Sequence, residues 1–101
     1  MPLHIRKAAY LKDYTVEVAF SDGRRGTADL RDALRGPMFD ALKDKEMFSR
    51  LRVDDELATI VWPNGADLAP EYVYFRAFKD EPGLQEQFVR WGYIAQSVSS
   101  A

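Results

Sequence analysis

An α+β fold is predicted for this chain: a small, mostly antiparallel sheet with short helices packed on it and a helix towards the C-terminal end. Three observations lead there. From Tyr14 to Ser21 apolar and polar residues alternate, and Asp22-Gly23 follows with the chemistry of a hairpin turn. Near Asp29 the apolar period lengthens from two to about three and a half, the spacing of a helix face. Further on, Leu84, Phe88, Trp91 and Ala95 recur on one face of a helix.

Taken in order, Leu3, Ile5, Ala9 and Leu11 fall on one side of a first strand, interrupted by Lys7. Lys12-Asp13 connects it to the second, where Tyr14, Val16, Val18 and Phe20 form an apolar face and the intervening residues a more polar one. After Asp22-Gly23, residues 24–30 are expected to return as a third strand. Asp29 is placed to cap a short helix through Leu30, Ala33 and Leu34, which Gly36 ends. Pro37 suits a first helical position before Met38, Phe39 and Leu42, and Asp44 can cap a further turn bearing Met47, Phe48 and Leu51. Residues 52–54 and 57–62 form a second hairpin across the acidic turn Asp54-Asp55-Glu56. The corner Trp62-Pro63-Asn64-Gly65-Ala66-Asp67-Leu68-Ala69-Pro70 combines proline, which donates no ladder bond, with an Asn-Gly pair that accepts positive φ. A last strand, Tyr72 to Phe75, is expected after it. Past Pro82-Gly83 the helical stripe begins; Gly92 should weaken its end, and residues 97–101 should fray.

The chain has 101 residues, 47% of them apolar, enough for one packed core and too few for two. Its formal net charge is −2, so the overall field offers nucleic acid and anionic lipid no general attraction, and neither is expected as a partner. With no cysteine, disulfides, thiolate metal sites and cysteine nucleophiles are excluded. No apolar run has the length of a signal peptide core or a membrane span, which points to the cytoplasm.

Residues 13–24, from Asp13-Tyr14-Thr15-Val16 to Asp22-Gly23-Arg24, then Asp29-Leu30, Gly36-Pro37-Met38-Phe39-Asp40-Ala41-Leu42, Phe48 and the run from Thr59 to Tyr74, together resemble a bacterial family known as domain of unknown function 2442. The similarity covers most of residues 3–75. It implies a small α+β domain with no catalytic residues to carry over, in a family whose members often stand beside a second small protein in a toxin–antitoxin-like arrangement. Some members carry a helix-turn-helix domain, for which residues 78–101 are too few. Residues 1–77 are thus expected to be the family-like part, and residues 78–101 a helical extension of the same domain.

The residues give little reactive chemistry. His4 is the single histidine and has no imidazole partner; Ser21 sits in a hairpin instead of a nucleophile elbow; and Asp54-Asp55-Glu56, with Asp67 and Glu71, lacks a calcium-loop spacing. No catalytic residue, metal site or cofactor is expected, and the chain is not expected to be an enzyme. Arg24, Arg25, Lys12 and Arg6 form either a local basic patch or the charged fringe that protects an exposed sheet edge. Trp62, Tyr72 and Tyr74, beside the rigid corner, are either core residues or anchors for a partner. Leu84, Phe88 and Trp91 dock on their own domain or on a second copy in a homo-oligomer.

The function expected first is therefore a non-catalytic interaction or regulatory domain, an antitoxin-like half of a two-protein pair. It would bind a protein partner, the product of a neighbouring gene, through Trp62, Asn64, Asp67, Glu71, Tyr72 and Tyr74 or by strand addition to an open edge. The alternatives are a small-molecule module or weak enzyme with a pocket near Asn64, Asp67 and Glu71, and a DNA-associated regulator.

Overall fold

A computed structural model describes residues 3–95. Its first unit is a three-stranded antiparallel meander of β1 (Ile5–Lys12), β2 (Thr15–Phe20) and β3 (Arg25–Asp29), in that spatial order. The alternation read in β2 holds: Val16, Val18 and Phe20 are buried on one face. Asp22-Gly23 makes the predicted turn, with Gly23 at φ +89 and the Phe20 N–H donating to Arg24 O at 2.9 Å. Asp22 Oδ1 accepts the Arg24 N–H at 2.9 Å, which fixes the loop from its own side chain.

β1 corrects the expected face. Ile5 lies opposite Phe20 and points inward, but Lys7, two positions on, lies opposite Ala19, so one extra residue is accommodated around Arg6. Because the side-chain period is two, that bulge inverts everything after it. Ala8 and Tyr10 turn to the core opposite Val18 and Val16, while Ala9 and Leu11 face outward, Leu11 with 48% of its surface exposed.

The crossing segment is built from single turns. Asp29 Oδ1 accepts the Arg31 N–H at 2.9 Å and starts a 3₁₀ turn, Arg31–Ala33; Gly36 at φ +91 ends the segment, and Pro37 opens α1 (Pro37–Asp40). A second 3₁₀ turn, Ala41–Lys43, leads to α2 (Lys45–Phe48), capped by Asp44 through the Glu46 N–H at 3.0 Å. Leu30, Leu34, Leu42 and Phe48, in or beside these turns, are buried in the core.

β4 (Arg52–Asp54) and β5 (Thr59–Val61) form the second hairpin, antiparallel and joined to β1 where the Ile5 N–H donates to Ala58 O at 2.9 Å. Asp54 Oδ1 accepts from the N–H groups of Leu57 and Glu56 in its turn; these bonds hold the Asp54 carboxyl below its usual range. After β5 the chain doubles back: the Trp62 N–H donates to Ala66 O, Gly65 at φ +89 makes the tight turn, and Asp67 bridges Val61.

Residues 72–75 are helical, not extended. They belong to α3 (Pro70–Phe78), which starts at Pro70, carries Glu71 in its first turn and Arg76 in its last, and buries Val73 and Tyr74. Tyr-Val-Tyr-Phe is rich in strand formers, but intrinsic propensity is weak, and packing against the sheet decides the outcome. Arg76 Nε donates to Asp29 O at 3.0 Å, and Phe78 lies over Gly26 on the inner face of β3.

A 3₁₀ turn, Pro82–Leu84, leads into α4 (Gln85–Trp91), which buries Phe88 completely. Gly92 at φ +85 does not merely weaken the helix; it stops it. The N–H groups of Gly92 and Tyr93 bond back to Val89 O and Phe88 O, so Ala95 falls beyond the stripe. The expectation for residues 97–101 lies outside the described residues.

Candidate functional site

The inner face of the meander is filled, and the outer face is where unspent chemistry collects. Register places Lys7 opposite Ala19, Ala9 opposite Glu17, Glu17 opposite Thr27 and Ala19 opposite Arg25, all on the outer side. The floor is therefore short at Ala9 and Ala19, with Glu17 and Thr27 as its polar members. β4 lies beside β1 and raises a wall of Leu51, Arg52 and Val53, giving a groove of about 710 Å³. Arg6, Lys7, Arg25 and Arg52 stand around it, all exposed. Arg52 approaches Asp54 at 3.7 Å; Arg6, Lys7 and Arg25 make no ion pair among the described residues. The groove is thus a shallow trough with four cations and one carboxylate.

Part of this was visible beforehand. Arg6 and Arg25 do share the groove, as the basic-patch reading required. Arg24 turns aside to Asp22 at 3.8 Å and lies 5.9 Å from the ring centre of Phe78; Lys12 sits at the far end of β1. Lys7, Glu17, Thr27 and Arg52 were missed. The bulge conceals the outward phase of Lys7, and Arg52 arrives from a separate hairpin. In β2 and β3 the signal existed, since Glu17, Ala19, Arg25 and Thr27 alternate with the buried residues.

The residues expected to bind a partner at the corner are not brought together as one surface. Trp62 is 2% exposed, its Nε1–H donating to Phe48 O at 2.9 Å, with its ring against Phe39 and Phe48. Asn64 is exposed, but both ends of its amide are engaged: Nδ2 donates to Met38 O at 2.9 Å and Oδ1 accepts from the Ala66 N–H at 3.1 Å. Asp67 is exposed and Glu71 half-buried. Tyr72 packs against Phe75 and Tyr93, its hydroxyl pKa raised by burial. Tyr74, 4% exposed, lies on the opposite flank with its ring on Phe20 and Phe78; its hydroxyl donates to Asp22 Oδ2 at 2.7 Å. Burial, then that bond to a carboxylate, pushes its pKa up to about 12.

The stripe of α4 is used within its own domain. Phe88 meets Tyr74, Phe75 and Trp91 and has no surface left for a second copy, whereas Leu84 and Trp91 stay half-buried beside it. His4 is exposed, its backbone N–H donating to Ser21 Oγ. A second cavity, about 390 Å³, lies between β3 and the end of α3, lined by residues that include Thr27, Arg76 and Glu81. Among the described residues no three His, Asp or Glu side chains gather as a metal site, and no helix is long and apolar enough to cross a membrane.

A family model described as a protein of unknown function (DUF2442) matches residues 5–79, most of the chain. No curated protein matches. A solved structure from Nitrosomonas europaea ATCC 19718, of the candidate DNA-binding protein NE0471, superposes with a TM-score of 0.69 over 92% of this chain, at 17% identity. This likeness is one of fold, and the chain spans only 63% of that protein's solved chain.

Proposed function

The chain belongs to the DUF2442 family, whose biochemical role is unassigned, and from that premise we propose that it is a non-catalytic interaction domain of the cytoplasm, the regulatory, antitoxin-like half of a two-protein pair. The observation that carries this reading is the outer face of the meander, a groove of about 710 Å³ with a floor of alanines and a frame of charged groups. Its charged side chains stand in water, whereas catalysis draws its largest electrostatic gains from sites that exclude water. A shallow face with exposed charges suits reversible docking of another chain.

Co-expression with the product of the adjacent gene, followed by affinity capture, tests the reading. Ala19→Trp places an indole on the floor of the groove without touching the buried face. Partner recovery should fall by about tenfold or more, equivalent to about 1.4 kcal/mol, while circular dichroism stays unchanged. Absence of any association with the wild-type chain, or capture indifferent to Ala19→Trp, would remove this docking surface.

A DNA-associated role is the second reading, favoured by the name of the Nitrosomonas protein and by the groove's cations. It rests on less, since much of that protein's solved chain lies outside the match. Binding to random duplex that weakens steeply with salt would support it. A small-molecule site at Asn64 and Asp67 has the weakest support: the amide is spent on the turn, and neither cavity described above touches these residues.

A further inference from the structure

Resting on the reading of the outer sheet face as a docking surface, we infer that its occupant is an acidic, extended segment of a partner protein. The first argument is charge. The chain as a whole has a net charge of −2, yet Arg6, Lys7, Arg25 and Arg52 converge on one groove whose sole acid among the described residues is Glu17. Three of these cations have no ion-pair partner among the described residues, so they remain available to an incoming anion. Guanidinium groups are suited to carboxylates, which they grip with two parallel hydrogen bonds.

Shape narrows the occupant. Ala9 and Ala19 leave the floor low, so a narrow rod can lie over them and reach the cations at its margins. An extended peptide is such a rod: its successive side chains project to opposite sides, and carboxylates at alternate positions can address one row of cations.

Nucleic acid fits the groove less well, for two reasons. Among the described residues no aromatic side chain lines it, so unpaired bases would find nothing there to stack on. Glu17, on the floor, can accept a peptide N–H; Thr27 beside it, whose hydroxyl both donates and accepts, serves either ligand. A phosphodiester backbone has no donor to offer the Glu17 carboxylate.

The test is fluorescence anisotropy on the full chain, with a labelled peptide of alternating glutamate and alanine, a lysine–alanine counterpart and a labelled random oligonucleotide, both single-stranded and duplex. The acidic peptide should bind and the basic one should not. Affinity should fall about tenfold or more in Arg25→Glu and in Arg6→Glu, and should decline with added salt as screening shortens the reach of the cations. Failure of the acidic peptide to bind, binding to either charge reversal as tight as to the wild type, or groove-dependent binding of the oligonucleotide in its place would overturn the inference. Partner capture that Ala19→Trp blocks but Arg25→Glu leaves intact would retain the docking surface and discard the acidic occupant. Indifference to both variants would discard the surface itself.

Discussion

Tyr74 does two jobs that a single substitution can separate. Its ring fills space between Phe20, Phe78 and Phe88, and its hydroxyl reaches back 52 positions to Asp22 in the first hairpin turn. Tyr74→Phe keeps the first and deletes the second, at a cost of about 1 kcal/mol near neutral pH. The hydroxyl titrates near 10 in the unfolded chain and at about 12 in the folded one, so the native state holds its proton longer. That contribution is complete below pH 10 and is lost as pH rises towards 12. Chemical denaturation of the wild type should show the alkaline decline, and Tyr74→Phe should lessen it, leaving the share of Tyr72, whose hydroxyl is raised by burial as well. Trp62 carries a different lesson. Its position beside Pro63 and Asn64 left both a core residue and a displayed anchor open, and the indole closes the core with its N–H satisfied. An aromatic at a strand end reads identically in sequence whether it faces in or out; only the bond to Phe48 O, fourteen residues upstream, decides.

Among the elements, β2 was the most legible because one buried face and one wet face write themselves into alternate letters. The hairpin at Asp22-Gly23 and the cap at Asp44 were legible for a similar reason, since each depends on chemistry within four residues. α3 was not, because a run of four β-formers carries no period long enough to tell strand from helix, and its packing on β3 is a long-range fact. Gly26 marks that contact. A Cβ added there would stand 2.7 Å from Phe78 Cε1 and 3.1 Å from Cζ, so Gly26→Ala forces the ring to move and should cost about 1–3 kcal/mol. Phe78→Leu in the same chain should return part of that loss, and a double-mutant cycle in denaturant will show whether the two positions are coupled.

At the scale of the molecule, the segment after α3 is part of the same core. Phe88 is fully buried against Tyr74 and Phe75, although the family match stops at residue 79. Phe88→Ala should therefore cost about 3–5 kcal/mol and lower the single unfolding transition, instead of releasing a separate tail. Differential scanning calorimetry distinguishes the two: a second, independent transition would contradict a shared core. The groove was only half legible, because its charges come from three strands and a separate hairpin, and two of those placements depend on tertiary pairing. Arg6 shows how much hangs on one backbone position. The irregularity there acts as a phase switch, deciding which letters of the first strand meet the solvent and which meet the oil. A first strand that kept Arg6 but paired it in a regular ladder would have the same composition, yet it would turn Ala8 and Tyr10 outward and drive Ala9 and Leu11 into the interior, closing the trough from below.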